Sequence, residues 1–164
     1  ETDIAVFDKV IAINTQGALL ATKYASQSMV RIGKGGSIVN ISSQAGLVAL
    51  WGHISYAASK AALDSITRVS ALELGKYNIR VNSISPGWID TGAFGALSPE
   101  DGLQHPSGRV GTPEDIVQAV FFLCRSGFVN AENLVIDGGM TRMMVYHGDE
   151  GWTFRPEPPD TVPS

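Results

Sequence analysis

Apolar and small side chains recur with helical spacing from about Ile4 to Arg31, and no proline interrupts them, which predicts one long helix over that stretch. Gly17 inside it predicts a close packing contact. The glycines of GKGG at 33–36 mark a turn, and the β-branched run from Ser37 to Ile41 then reads as a short strand of a buried parallel sheet. A second helical period runs from about Ser55 to Lys76. Asn78 suits its end, and IRVNSI at 79–84 reads as a second strand closed by Pro86-Gly87.

From Trp88 to Gly111 no period holds, and glycines with Pro99 and Pro106 punctuate the stretch; its length predicts a functional loop or lid. TPEDIVQAVFFLC then opens a third helix. Thr112 can cap it, Pro113 suits its first turn, and Glu114 and Asp115 lie at the positive end of its dipole. NLVID at 133–137 reads as a third strand before Gly138-Gly139. From His147 onward the chain is polar and proline-rich, which predicts an extended tail over 147–164 following one domain over 1–146. Helix and strand alternate three times, the pattern of an α/β layer built on a parallel sheet.

Composition narrows the function classes. With 44% hydrophobic and 17% charged residues among 164, the chain can build one soluble domain with a core. Its formal net charge of −4 comes without a Lys/Arg cluster, which argues against nucleic acid or an anionic membrane surface as a partner. No segment approaches about 18 uninterrupted apolar residues, and the opening ETDIAVFDKV has neither the basic region nor the apolar core of a signal peptide. The lone Cys124, in AVFFLCRSG, is expected to be a small buried hydrophobe and fits a reducing cytoplasm. His53, His105 and His147 show no metal-ligand spacing. The sequon Asn40-Ile41-Ser42 lies in a strand expected to be buried and is set aside.

The chemistry concentrates in SYAASKAALDSI, residues 55–66, where Tyr56 and Lys60 stand four apart and so share one helix face. An ammonium beside a phenol favours the phenolate by Coulomb attraction, and such a pair suits proton transfer to or from an alcohol oxygen. The spacing by itself also fits two solvent-facing residues on an amphipathic helix. Thirteen residues before Tyr56, just past the first strand, stands Ser43.

GGSIVNISSQAG, SYAASKAALDSITRVSALEL, IRVNSISPGWIDT and NLVIDGG follow one another in this order, and over about residues 11–140 the chain resembles the short-chain dehydrogenase/reductase family in its single-domain form. The resemblance implies a doubly wound, Rossmann-like parallel sheet and interconversion of an alcohol and a ketone by hydride transfer with NAD or NADP. It implies Tyr56 as general acid/base, Ser43 as the residue that orients the substrate oxygen, and Lys60 as the ligand of the nicotinamide ribose. Asn14, in INTQG, would hold through its backbone a water that links Lys60 to solvent. Pro86, Gly87, Ile89 and Thr91 would line the nicotinamide. His53, Trp88 and Phe94 are candidate substrate contacts, with Leu50, Trp51 and Leu97 as further pocket walls, whereas Asn82 and Ser83 read as strand-end hydrogen bonders. A homotetramer packed through the two long helices is the family's default.

The sequence departs from the family at one point: no glycine-rich turn follows a first strand, and no residue that would select NAD from NADP is present. GKGG precedes a strand where that fingerprint should follow one. The expected fold is therefore the C-terminal half of the doubly wound domain, three strands plus long helices, completed by an N-terminal half of roughly 80–95 residues. Two other readings remain: a non-catalytic subunit that kept the fold, and the nucleotide-sugar epimerase and dehydratase branch, which the Ser43 to Tyr56 spacing and the short C-terminal region oppose.

Overall fold

The computed structural model describes residues 3–93 and 95–142. The first helical period is realised as α1 (Ile4–Ile11), a π-helical turn (Ala12–Gln16) and α2 (Gly17–Ile32), one continuous run. Asp3 caps it by accepting from the Ala5 amide, and Gly33 ends it in the left-handed conformation. The wide turn is the departure from the single α-helix that the spacing predicts. Within it the Gly17 amide reaches back to the Ala12 carbonyl, a five-residue step. A Cβ on Gly17 would meet only that carbonyl, at 3.7 Å, so the expected close packing at this glycine is absent.

The strands β1 (Gly36–Ile41), β2 (Ile79–Pro86) and β3 (Asn133–Ile136) are parallel and lie in the order β1-β2-β3, with Ile38 opposite Val81 and Ile84 opposite Leu134. The helix α3 (Ile54–Leu74) links the first two, ending in a short 3-10 turn and a left-handed Asn78. A second crossover, α5 (Pro113–Arg125), links β2 to β3 behind the expected Thr112 capping box, in which Asp115 accepts from the Thr112 amide.

Successive side chains of a strand face opposite ways, and here the two faces carry separate cores. Ile79 and Val81 pack with Ala71 of α3, Met29 of α2 and Ile38, whereas Ile84 packs with Ala119 and Leu123 of α5, Val39, Leu134 and Ile136. Both faces of the sheet are thereby covered, as parallel sheets require. Several polar groups inside the layers are paired: Asn40 donates to Thr67, and Asn82 clamps the 129–132 loop by donating to the Val129 carbonyl and accepting from the Glu132 amide. Asn40 is thus a core residue, and Asn82 is the strand hydrogen bonder that the sequence suggests. Arg80 caps the far end of α5, its guanidinium donating to the carbonyls of Leu123, Cys124 and Val129.

Three expectations are corrected. Cys124 is exposed, because it stands one position beyond Leu123 and the helix turns it away from the sheet. The 88–111 stretch is not wholly irregular, since Ser98 caps a short helix, α4 (Pro99–Leu103). The Ile4–Ile32 run is, by length and composition, apolar enough to cross a membrane; a count of uninterrupted apolar residues passes over it because polar residues, Asp8 and Lys9 as well as Asn14, Thr15 and Gln16, break the run. Ile4, Ile13, Tyr24 and Ile32 on this helix are exposed, and β1 has no neighbour on its outer edge among the described residues. Phe94 and the predicted 147–164 tail, with the domain boundary before it, lie outside the described residues.

Truncating Arg80 to alanine leaves three carbonyl groups without their charged donor, so Arg80→Ala is expected to cost about 1.5–3 kcal/mol in urea denaturation. Arg68→Ala, on the exposed side of α3, is the control and should change stability by no more than about 0.5 kcal/mol.

Candidate active site

The site forms where β1 and β2 end. Beyond Ile41 the ladder continues for one more bond, from the Ser42 amide to the Ile84 carbonyl, and the Ser42 hydroxyl donates to the Lys60 carbonyl of α3. Ser43 follows in extended conformation, 8% exposed, and accepts from the Ala45 amide to start a 3-10 turn over Gln44–Gly46. That accepted bond leaves its own O–H proton uncommitted. Gly46 brings this turn onto α3, where a Cβ would stand 2.9 Å from the Ala61 nitrogen and 3.0 Å from the Lys60 carbonyl carbon.

Tyr56 and Lys60 do share one face of α3, with the Lys60 ammonium 5.6 Å from the centroid of the Tyr56 ring. The ammonium donates to the Ile41 carbonyl at 2.9 Å, which leaves two N–H bonds free. Burial lowers the proton affinity of Lys60 below that of an ordinary lysine, and the Asp64 charge opposes that effect. Tyr56, 36% exposed, stands at the mouth.

Asn14 lies behind this pair, in the π-helical turn. Its amide nitrogen donates to the Ser59 hydroxyl, which in turn donates to the Tyr56 carbonyl, and Thr15 donates to the Ser59 carbonyl. Ser59, fully buried, thus locks the wide turn to the helix segment that carries Tyr56 and Lys60.

The opposite wall descends from β2. Pro86 ends the strand, and Gly87 passes so close to the start of the next turn that a Cβ would lie 2.8 Å from the Asp137 Cα. Trp88 and Ile89 follow. The Gly111 amide donates to the Trp88 carbonyl, the Asp90 amide donates to the Gly111 carbonyl, and the two ends of the long loop are held together at its base. Asp137 is desolvated, yet hydrogen bonds from Thr141 and Gly139, with the nearby Arg142, hold its carboxyl below the usual range.

Between these walls opens a cleft of about 680 Å³. Ser43, His53, Tyr56, Lys60, Pro86, Gly87, Trp88, Ile89 and Thr91 all line it, so every predicted site residue among those described faces one space, except Asn14, one layer back. Leu50, Pro113 and Ile116 complete the apolar lining, whereas Trp51 and Leu97 do not line it. His53, at the start of α3, has Nδ1 2.7 Å from the Trp51 carbonyl, which can only accept; in the neutral ring Nδ1 carries the proton and Nε2 is an acceptor. His105, in contrast, is buried beneath the loop beside a smaller cavity of about 110 Å³, and neither ring nitrogen has a hydrogen-bond partner.

The family model described as enoyl-(acyl carrier protein) reductase matches residues 1–141. An oxidoreductase from Thermotoga maritima is 38% identical over 157 residues, covering 89% of this chain and 61% of its own length. The chain belongs to the short-chain dehydrogenase/reductase family. An NAD-dependent glycerol dehydrogenase from Listeria innocua is 41% identical over 142 residues, covering 82% of this chain and 56% of its own. The solved structure of ElxO with NADP bound superposes with a TM-score of 0.79 at 31% identity, covering 87% of this chain and 61% of that one. The chain therefore spans roughly three fifths of the length of these relatives, and its three strands are part of a Rossmann-like sheet.

NAD(P) is the coenzyme of the short-chain dehydrogenases, and the donor set fits one end of it. The cleft lies beyond the carboxyl ends of two parallel strands, where such sheets bind ligands. Lys60 offers two free N–H bonds there, and Pro86, Gly87 and Ile89 give the facing wall an apolar lining. Among these residues nothing corresponds to the glycine turn that receives a pyrophosphate.

Sequence reasoning missed Ser42, Ser59 and Gly46. Ser59 carries the one available signal, a hydroxyl inside the Tyr-x-x-x-Lys repeat; the other two act through backbone contacts that no pattern announces. A methyl group at Gly46 would have to push the Ser43 turn off α3, so Gly46→Ala is expected to cost about 1–3 kcal/mol, read as a lower urea midpoint at unchanged m-value.

Proposed function

We propose that this chain is the catalytic half of an NAD(P)-dependent oxidoreductase that interconverts an alcohol and a ketone. The observation that carries this reading is the shared cleft: a phenol, an ammonium with two free donors and a serine with a free O–H proton line one space with the apolar Pro86, Gly87 and Ile89. The bound coenzyme supplies or removes the hydride. Tyr56 gives its phenolic proton to the carbonyl oxygen during reduction and takes it from the alcohol in the reverse direction. Ser43 donates to the same oxygen and holds it against Tyr56. Lys60 would bind the ribose hydroxyls next to the nicotinamide, and it holds a positive charge beside the Tyr56 ring. The backbone of Asn14, opened by the π-helical turn, holds the water through which the proton reaches solvent. Pro86, Gly87, Ile89 and Thr91 flank the nicotinamide.

His53 is the polar side chain of the cleft that these roles leave unused. Its Nε2 acceptor suits a hydroxyl group beside the reacting carbon, as in a vicinal diol or hydroxy-ketone, and the glycerol dehydrogenase relative points the same way. Trp88 walls the remaining substrate. The open edge of β1 and the exposed apolar face of Ile4–Ile32 support assembly with an N-terminal half that carries the pyrophosphate turn, and of complete units into a homotetramer, in the cytoplasm.

Tyr56→Phe removes the proton and little volume, so turnover should fall at least about 100-fold while coenzyme affinity, followed by fluorescence quenching, stays within about twofold. Turnover that survives this substitution would exclude Tyr56 as the acid/base and favour a non-catalytic origin of the fold. Replacing His53 by leucine should raise KM about tenfold for a vicinal diol and leave a simple ketone unaffected, the loss of one hydrogen bond. An equal change for both substrates would refute the substrate assignment.

A further inference from the structure

We infer that Asp64 is the buried countercharge of this site, a positioning residue that keeps Lys60 protonated without touching substrate or coenzyme. The inference rests on the role proposed above for Lys60. In the sequence, Asp64 looks like one more polar residue on an amphipathic helix. In the fold it is 3% exposed, turned inward between α3 and the sheet. Its Oδ1 accepts from the Ser83 hydroxyl at 3.2 Å, and its Oδ2 has no hydrogen-bond partner.

A carboxylate taken this far out of water with a single neutral donor is costly unless a positive charge lies near. Lys60, one helical turn earlier on the same face, is that charge. The Asp64 carboxylate meets Ser83 of β2, and one turn toward the helix N-terminus the Lys60 ammonium reaches past the Tyr56 ring to the Ile41 carbonyl. The two are no ion pair, since the described residues show none between them. They act through the field across the buried interior, where screening by salt is weak.

The groups around Lys60 leave Asp64 alone in this role. Tyr56 stands beside it on α3, β1 and the residue after it offer the neutral Ile41 carbonyl and Ser42, α5 contributes Pro113 and Ile116 to the cleft, and the π-helical turn meets α3 through the neutral Asn14 and Thr15, which bond Ser59. His53 is the other titratable group of the cleft, and Ser83 on β2 faces Asp64 itself. Burial works to strip the Lys60 proton, and among the described residues Asp64 is the charge that opposes it. The helix thus carries its own sequence of charges at i, i+4 and i+8: the phenol that exchanges the proton, the ammonium that binds and polarises, and the carboxylate that keeps the ammonium charged.

The test follows the Cε signal of ¹³C-labelled lysine across pH in the purified protein, with Lys60 assigned through Lys60→Arg. In Asp64→Asn, Lys60 is expected to hold its proton about tenfold more weakly, so its titration and the alkaline fall of kcat both move to lower pH. Ser83→Ala, which keeps the charge and loses only the hydrogen bond, should leave that titration in place. A Lys60 titration in Asp64→Asn that coincides with the wild type would overturn the inference, because Lys60 would then not feel Asp64. Asp64→Ser, smaller and still able to meet Ser83, carries the same measurement if the asparagine variant does not fold. The lysine titration needs no turnover, so a titration that moves in a protein that reduces no ketone even when assembled with its N-terminal half refutes the proposed reaction and leaves the Asp64 inference standing.

Discussion

The site depends on the way one residue of α3 is held against the end of β1. Lys60 is fixed at three points: its carbonyl accepts from the Ser42 hydroxyl, its ammonium donates to the Ile41 carbonyl, and the Gly46 turn rests on its peptide. Each contact comes from the four residues on either side of Ser43, so the same anchor that orients the ammonium also sets where the serine stands. Tyr56 is one turn away on a rigid helix and inherits the position. A site built this way is as precise as its supports, because no long flexible loop carries any of the three side chains.

That anchoring explains the polar character of the layer between the Ile4–Ile32 helix, α3 and the sheet. Buried hydroxyls and amides are placed in short chains, Asn14 to Ser59 to Tyr56 and Asn40 to Thr67 to Leu63, in which each hydroxyl donates once and accepts once. Such chains cost little to bury, since every donor in them is paired. The bonds that cross between elements, Asn14 to Ser59 and Asn40 to Thr67, also oppose sliding: moving α3 by one residue would break them, whereas apolar contacts alone would re-form.

How much of this was legible beforehand differs by the kind of force involved. The three strands, the second and third long helices and the Thr112 cap were read correctly because they depend on near neighbours in the chain, through periodicity and local hydrogen bonding. The cleft was legible as a set of residues, Ser43, Tyr56, Lys60 and the Pro86 to Thr91 stretch, because the motifs that hold them carry distinctive spacing. The π-helical turn was not, since its wide step is held by Ser59, 45 residues away from Asn14. Cys124 was misread as buried because an apolar run looks the same on both faces of a helix until the sheet chooses one.

The sequence alone determined the alternation of helices and strands, the parallel sheet and which side chains are candidates for the chemistry, all of which follow from local pattern and side-chain chemistry. Only the tertiary structure decided that Gly46 lies on the Lys60 peptide, that His53 turns Nδ1 to the Trp51 carbonyl and that Asp64 points inward with one oxygen unpaired. These are distances between atoms that the chain brings together from different elements, and close packing fixes them to fractions of an ångström that no spacing along the sequence encodes.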